Sequence, residues 1–424
     1  MKKRFKIVTL GCRTNQYESQ AYSDQLEKVG LIGGEKNVDL CIVNTCTVTE
    51  SADKKSFYQI RQLARKYPDA EIVVTGCLVE RKRDEIEKLP GVSKVIGNLE
   101  KEKLISYLYP DIKDLPEFSI ERFSAHTRAF VKIQDGCNSY CSYCVIPFVR
   151  GRSRSKPTAE IIREIEGLLE NGYKEIVLTG INIGDFDEGL ADLVRLVDDL
   201  PGLERLRISS IDPDEIDDDL LDAVIHGKNT CQSMHIVLQS GSNVVLKRMR
   251  RKYTKQEFIR SVNRLLAVSP EFTVTTDVIV GFPGETEGDF QETIDLISDL
   301  PFAKVHMFPF SIRPMTRAAR MPNPVPHDVI TERKGRLLRH VEKRAFALRE
   351  EYVGKTVSVL VEGNDPAREG NMRGHTDNFI EVSFPRDGLK SNDLIEIKCM
   401  ENAADGLVGR VEKMEVVQYA CANS

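Results

Sequence analysis

Between residues 1 and about 110, and again from 129 to about 310, short β-branched runs alternate with stretches of helical periodicity. A chain patterned this way has few ways to bury itself, and parallel sheets with helices packed on their faces are the common solution. In the first segment, residues 6–10, 39–44 and 71–75 read as strands and 17–29, 52–66 and 81–89 as helices. In the second, strands are expected at 129–133, 175–179, 205–209, 235–238, 273–279 and 304–308. The helical segments between them include 159–171, 190–200, 214–226 and 255–268. The fold class is therefore α/β. After a long basic helix at 327–352, short strands at 356–362, 379–383, 393–399 and 407–416 alternate with Gly, Asn and Asp turns. That last pattern argues for a small antiparallel β-barrel.

Cysteine placement narrows the chemistry. Three of the ten cysteines form Cys137-x3-Cys141-x2-Cys144, directly after the strand at 129–133. Three thiolates at that spacing can hold three irons of a [4Fe–4S] cluster and leave the fourth iron open for reaction. A zinc knuckle is the competing reading, but zinc prefers four ligands in paired C-x2-C units, and no fourth Cys or His follows nearby. Cys12, Cys46 and Cys77 each fall just past a strand of the first segment, in the words GCRTN, NTCTVT and TGCLVE. Ligands of open α/β sheets gather outside the carboxyl ends of the strands, so these three can converge on one site. Small apolar residues at strand ends are the alternative. Cys41 lies within a strand and reads as core, while Cys399 and Cys421 have no partner spacing.

The triad, with Tyr143 just before its last cysteine, resembles the radical S-adenosylmethionine (SAM) enzymes. The resemblance implies a partial (β/α)6 barrel, a cluster that binds SAM through its open iron, and cleavage of SAM to a 5′-deoxyadenosyl radical. A cysteine-bearing α/β domain followed by this triad resembles the methylthiotransferase family, whose N-terminal cysteines hold a second [4Fe–4S] cluster. Carried over, those ligands are Cys12, Cys46 and Cys77. GCRTNQYES and GRSRS are most similar to the subgroup that adds a methylthio group to carbon 2 of threonylcarbamoyladenosine at tRNA position 37. Other subgroups act on isopentenyladenosine tRNA or on a ribosomal protein side chain, and a non-enzymatic iron–sulfur RNA-binding protein is a further alternative. The family's SAM-contacting segments correspond to LTGINIG (178–184), LQSGS (238–242) and TTDVIVGFPGET (275–286). The expected cofactor contacts are Tyr143, Gly180, Asn182, Ser209, Gln239, Ser240 and Asp277, with Arg313 of FSIRPMT near the site. GHTDNFIEV (374–382) resembles the TRAM domain, which the family uses to hold tRNA. The expected division is 1–125 for the methylthiotransferase domain, 126–350 for the barrel and 351–424 for the TRAM-like module.

Composition limits the partners. A net charge of −5 and a pI near 5.9 give no global nucleic-acid signature, so RNA contact must rest on local patches. Two basic runs offer phosphate contact: Arg150, Arg152, Arg154 and Lys156, and Lys247, Arg248, Arg250, Arg251 and Lys252. Residues 353–424 carry eight Lys and Arg against twelve Asp and Glu, a net of −4. The module must then use one face or a stacking group such as Phe379, and the basic helix before it is expected to grip RNA more. The apolar run at 7–10 is too short for a signal peptide, and no long charge-free run could span a bilayer. Ten cysteines without secretion indicate a reducing cytoplasm. Radical chemistry of this kind implies an electron donor such as flavodoxin or ferredoxin.

Overall fold

In the computed structural model, which describes residues 3–123 and 126–414, the first β-α units build one five-stranded parallel sheet. Its strands β1 (Arg4–Thr9), β2 (Ile32–Gly33), β3 (Leu40–Thr45), β4 (Glu71–Gly76) and β5 (Val92–Val95) lie in the order β2-β1-β3-β4-β5. All six residues of β3 are buried, as a central parallel strand covered on both faces requires. The edge strands β2 and β5 escaped the sequence pattern because they are two and four residues long and carry no apolar run. Helices α1 (Arg13–Lys28), α2 (Glu50–Lys66) and α3 (Val79–Glu87) follow β1, β3 and β4. α1 starts four residues before its apolar periodicity, because its first turns bury Thr14, Asn15 and Glu18 in a polar interface.

A short helix α4 (Leu104–Leu108) leads towards β6 (Arg128–Lys132), and a two-residue hairpin, β7 (Gln134–Asp135) with β8 (Arg154–Ser155), encloses the cysteine loop and α5 (Ile146–Val149). The next strands are β9 (Glu175–Thr179), β10 (Arg205–Ile208), β11 (Ser233–His235), β12 (Thr273–Val280) and β13 (Phe302–Pro309). They form two parallel three-stranded sheets, β10-β9-β6 and β11-β12-β13. Parallel bridges Leu206–Thr230 and Ile211–Ile236 join the sheets, so six strands follow one another around an open arc. Helices α6 (Thr158–Glu170), α7 (Leu190–Asp198), α8 (Asp218–His226), α9 (Asn243–Met249), α10 (Lys255–Val268), α11 (Glu287–Asp299) and α12 (His327–Glu350) occupy the connections and the outer side.

Strand alternation sorts this arc into two chemically different faces. Ala129, Val131, Ile176, Leu178, Leu206 and Ile208 share a core with Ile161, Ile165 and Leu168 of α6. The intervening positions are Arg128, Phe130, Lys132, Glu175, Arg205 and Arg207, which puts charge on the concave face. Tyr17 and Ala21 of α1 belong to the same core, so the first sheet's helix packs directly on the arc.

The chain ends in a closed barrel, order β14-β15-β16-β18-β17, from β14 (Thr356–Asn364), β15 (Asn371–Thr376), β16 (Glu381–Pro385), β17 (Leu394–Ala403) and β18 (Gly406–Met414). It differs from the expected antiparallel barrel in two ways. β15, half polar in NMRGHT, is a strand the pattern missed, and β16 pairs with β18 in parallel. Arg205 Nη2 donates to Ser358 O at 2.8 Å and Arg207 Nη1 to Asp377 O at 3.0 Å, fastening this barrel under the arc.

Candidate functional site

Because β1, β3 and β4 are neighbours in the first sheet, the residues that follow them emerge side by side at its carboxyl edge. Cys46 and Cys77 directly follow the paired residues Thr45 and Gly76, and Cys77 N–H donates to Thr45 O at 3.1 Å. Cys12 joins them through Gly11, where φ is +100° and an added Cβ would lie 2.9 Å from Cys46 Sγ. A side chain at Gly11 would therefore displace the thiol. Burial pushes Cys46 up to about 12, and the neighbouring Cys77 and Cys12 add to the rise. Burial also raises Cys77, which Arg150 opposes, and Asn98 Nδ2 reaches its Sγ at 3.5 Å.

The second trio sits on the β7–β8 hairpin. Gly136, at φ +78°, lets the strands close, since a Cβ there would fall 2.1 Å from Arg152 O. Ser142 pins the loop by donating from N to Met249 O at 2.9 Å and from Oγ to Arg248 O at 2.8 Å. Cys137 Sγ accepts from Ser139 N–H at 3.4 Å, and Cys141 Sγ accepts from Arg251 Nη1 at 2.9 Å. Burial lifts Cys144 to about 12, with Cys141 and Cys137 adding to it.

Both trios fit clusters better than single ions. Among the described residues no three His, Cys, Asp or Glu side chains are grouped closely enough to hold one metal ion. A cubane instead takes each thiolate on a different iron, which suits thiols spread around the end of a sheet or along a loop. Hydrogen bonds to sulfur of the kind Arg251, Ser139 and Asn98 provide are what tune such centres.

A buried ion network ties the two trios together. Arg150 Nη1 lies 3.0 Å from Glu18 and 2.7 Å from Asp135, and Nη2 bonds Asn15 Oδ1. Lys101 Nζ lies 2.6 Å from Glu18 and also pairs with Asp135. Asp135 immediately precedes Gly136 and Cys137, whereas Asn15 donates to Leu10 O at 2.7 Å and Thr45 O at 3.0 Å beside Cys12 and Cys46. Burial alone would raise Glu18, but Arg150 and Lys101 hold it at about 2.

The expected cofactor contacts cluster at the carboxyl ends of the arc, with one exception. Gln134 Oε1 accepts from Ile181 and Asn182 N–H, both at 3.0 Å, and Gly180 lies against the same residue. Asn182 Nδ2 donates to Glu215 Oε1 at 2.7 Å, and burial together with Asp212 pushes Glu215 up to about 7. Ser209 Oγ and Gln239 Oε1 are buried without a hydrogen-bond partner. Orphaned polar atoms beyond the ends of two neighbouring strands, β10 and β11, are what a site shaped for a polar ligand leaves behind. Gln239, at φ +62°, bridges to Val278, and Ser240 Oγ accepts from Ser242 N–H at 3.2 Å. Asp277 Oδ2 stands 3.5 Å from His235 Nε2, an ion-pair distance without hydrogen-bond geometry. Tyr143 packs edge-on against Phe282 with centroids 6.3 Å apart. Arg313 is the exception: it is buried and bonds Asp53 at 2.8 Å and Thr47 O at 3.3 Å. Its guanidinium is used to lock the end of the arc onto the Cys46 loop, because Asp53 is also paired with Arg81 at 3.0 Å.

The structure narrows four RNA-binding expectations. Arg150 is fully buried in the network above and Lys156 pairs with Glu164 at 2.6 Å, so the first basic run leaves Arg152 and Arg154 exposed. In the second, Arg251 pairs with Asp212, and Lys247, Arg248, Arg250 and Lys252 are exposed, Arg248 while donating to Gly284 O at 2.6 Å. On α12, Arg333 pairs with Glu285 at 2.8 Å, Arg336 with Glu287 at 2.5 Å and Arg344 donates to Leu300 O, while Arg339 and Lys343 are exposed. Phe379 stacks on His375 at 4.7 Å, with Arg128 and Arg207 over its ring at 5.4 and 5.1 Å. Its half-buried ring is held between these cations and the His375 ring and borders a cavity under the arc. Cys421 lies outside the described residues.

Sequence reading gave Arg251 to phosphate rather than to Cys141, and missed Asn98, Gln134 and Glu215. Each acts through a partner far away in the chain, and a lone polar residue in a loop carries no pattern to betray that.

Known proteins agree with this geometry. Residues 131–297 match the radical SAM superfamily and residues 4–97 the uncharacterized protein family UPF0004. A threonylcarbamoyladenosine tRNA methylthiotransferase of Chlamydia pneumoniae is 45% identical over 97% of this chain and 99% of its own. The enzyme of that name from Bacillus subtilis is 36% identical over 97% of each chain. A tRNA-2-methylthio-N6-dimethylallyladenosine synthase of Clostridium perfringens is 34% identical over 97% of this chain and 98% of its own. A radical SAM methyltransferase from Kitasatospora setae, solved with cobalamin and a [4Fe–4S] cluster, shares the fold. Its TM-score is 0.58 at 15% identity, over 75% of this chain and 77% of that one.

Proposed function

This chain belongs to the methylthiotransferases of the radical SAM superfamily, and on that premise we propose how its residues divide the work. The reaction adds a methylthio group to carbon 2 of threonylcarbamoyladenosine at tRNA position 37. It uses SAM and a [4Fe–4S] cluster, whose bound forms supply the one-electron chemistry that a carbon–hydrogen bond of no useful acidity demands. In our reading Cys137, Cys141 and Cys144 hold that cluster, and Cys12, Cys46 and Cys77 hold a second one that presents sulfur. The observation that carries this division is the buried Arg150–Glu18–Asp135–Lys101 network, which fixes two cysteine trios on one frame.

The chain's own groups then have definite tasks. Arg251 and the Ser139 N–H donate towards Cys141 and Cys137, favouring thiolate over thiol. Gln134 shapes the loop 180–184, while Ser209 Oγ and Gln239 Oε1 offer unpaired polar atoms to SAM. Asp277 and Asn182 complete that wall. A base in an anticodon loop is already unpaired, so its entry costs less than extrusion from a duplex. The terminal barrel, read as TRAM-like, and the exposed Arg152, Arg154, Lys247, Arg250 and Lys252 would meet the RNA backbone. We read three parts, 1–125, 126–350 and 351–424, working in the cytoplasm with a flavodoxin- or ferredoxin-type electron donor.

Iron and sulfide analysis with Mössbauer spectra, on anaerobic wild type and a Cys137/Cys141/Cys144→Ala variant, tests the division. Loss of half the iron supports two clusters, whereas loss of all of it removes the role given to Cys12, Cys46 and Cys77. Nucleoside mass spectrometry of tRNA from a deletion strain tests the substrate, because the methylthiolated threonylcarbamoyladenosine must vanish.

A further inference from the structure

Arg13 follows Cys12 directly, yet its side chain turns to the concave face of the arc. The guanidinium lies 5.3 Å from the Phe130 ring centroid and borders a cavity of about 380 Å³. Val177, Phe379 and three further arginines also line that cavity. Those three are committed: Arg128 pairs with Glu362, Arg207 bonds Glu175 at 2.9 Å, and Arg373 lies 3.7 Å from Glu381. Among the described residues Arg13 has no hydrogen-bond or ion-pair partner. Glu175 and Asp277 act on it only from a distance. Burial, with the charges of Arg128 and Arg207, lowers its pKa to about 10, which still leaves it charged at neutral pH. A half-buried cation beside two others is favoured by an anion that pairs with it, and Glu362, the carboxylate on the same wall, is already taken up by Arg128.

We propose that Arg13 receives the carboxylate of the threonylcarbamoyl group and so selects the substrate base. This rests on the function proposed above. The position suits the task, because Arg13 is one residue from Cys12 and its cavity lies between the arc and the terminal barrel, walled by Phe130, Val177 and Asn364. A guanidinium and a carboxylate form paired, charge-assisted hydrogen bonds. A dimethylallyl group in the same cavity would leave the guanidinium desolvated and unpaired, which makes the residue select against that base as well as for its own. A backbone phosphate offers the same negative charge, and the experiment separates the two.

Anticodon stem-loop RNAs carrying threonylcarbamoyladenosine, its carboxamide analogue or plain adenosine would be bound to the anaerobically reconstituted holoenzyme. Wild type is expected to bind the acid about 10-fold or more tightly than the amide, and Arg13→Gln to bind them within about twofold of each other. Arg13→Gln should leave affinity for the plain loop unchanged, and Arg13→Lys should keep part of the preference. Equal binding of acid and amide by wild type would overturn the proposal without recourse to any variant. An Arg13→Gln protein that keeps the full ratio, or loses affinity equally for all three RNAs as a phosphate contact would, overturns it too. If wild type fails to methylthiolate the acid-bearing loop, the proposed function itself is wrong, which is a separate readout.

Discussion

Replacing Arg150 with Met should change how stability responds to pH. In the folded chain Glu18 sits at about 2 against an ordinary 4.5, because Arg150 and Lys101 outweigh the effect of burial. That lowering corresponds to roughly 3 kcal/mol of stability at neutral pH. The contribution is complete above about pH 4.5 and is lost as pH falls towards about 2. Without Arg150, Glu18 and Asp135 share Lys101, with Arg154 3.6 Å from Asp135 and Lys132 acting from further off, and burial then favours protonating Glu18. Breaking a buried pair of this kind costs about 3–5 kcal/mol, a large share of the roughly 5–15 kcal/mol typical of a folded protein. Now the folded state binds a proton that the unfolded state releases. Relative to wild type, the variant therefore gains stability as pH falls from about 7 to about 5, by up to about 1.4 kcal/mol per unit, while Glu215 and Glu285, both raised to about 7, add the same slope to both proteins. Urea unfolding of the metal-free chain, followed by circular dichroism at several pH values, measures this directly. Equal midpoints for the two proteins, or a gap that does not change with pH, would refute the reasoning.

Three further outcomes follow from the site. Cys141→Ala should abolish SAM cleavage, whereas Cys46→Ala should still cleave SAM yet form no methylthiolated product; normal product from the second variant, read by mass spectrometry, would end the division of roles. Gly136→Ala forces a Cβ to within 2.1 Å of Arg152 O at φ +78°, a strain of about 1–3 kcal/mol or more. The hairpin should open, and iron retained after reconstitution should fall to about that of the Cys137/Cys141/Cys144→Ala protein. Burial holds Cys46 and Cys144 protonated, up to about 12, so iron must displace protons to bind; loading should release acid and proceed more completely at pH 8.5 than at 7, and a pH-independent yield would contradict it.

Much of the fold was legible because parallel strands buried on both faces must be apolar runs. Strands β3, β4 and β9 appear within a residue of their expected ends for that reason. What escaped was polar or short: β2, β5 and β15, and the first turn of α1. The cysteines were legible because their residue type is scarce and their spacing regular. Arg313 misled for the opposite reason. Its local word placed it correctly after β13, but nothing in that word specified Asp53 as its partner, 260 residues away. The basic runs misled likewise, since a charged residue written beside a cluster can face water or the interior, and Arg150 faces the interior.

Sequence by itself determined the order of the elements, the two cysteine trios and the class of chemistry, since each is carried by local pattern or by family likeness along the chain. Only the tertiary structure decided which charges are free. Glu18, Lys101, Asp135 and Arg150 come from four separate segments and neutralise one another in the interior, whereas Arg13 stands half-buried beside other arginines with no ion-pair partner among the described residues. Coulombic pairing depends on distance and on the exclusion of water, and chain folding sets both.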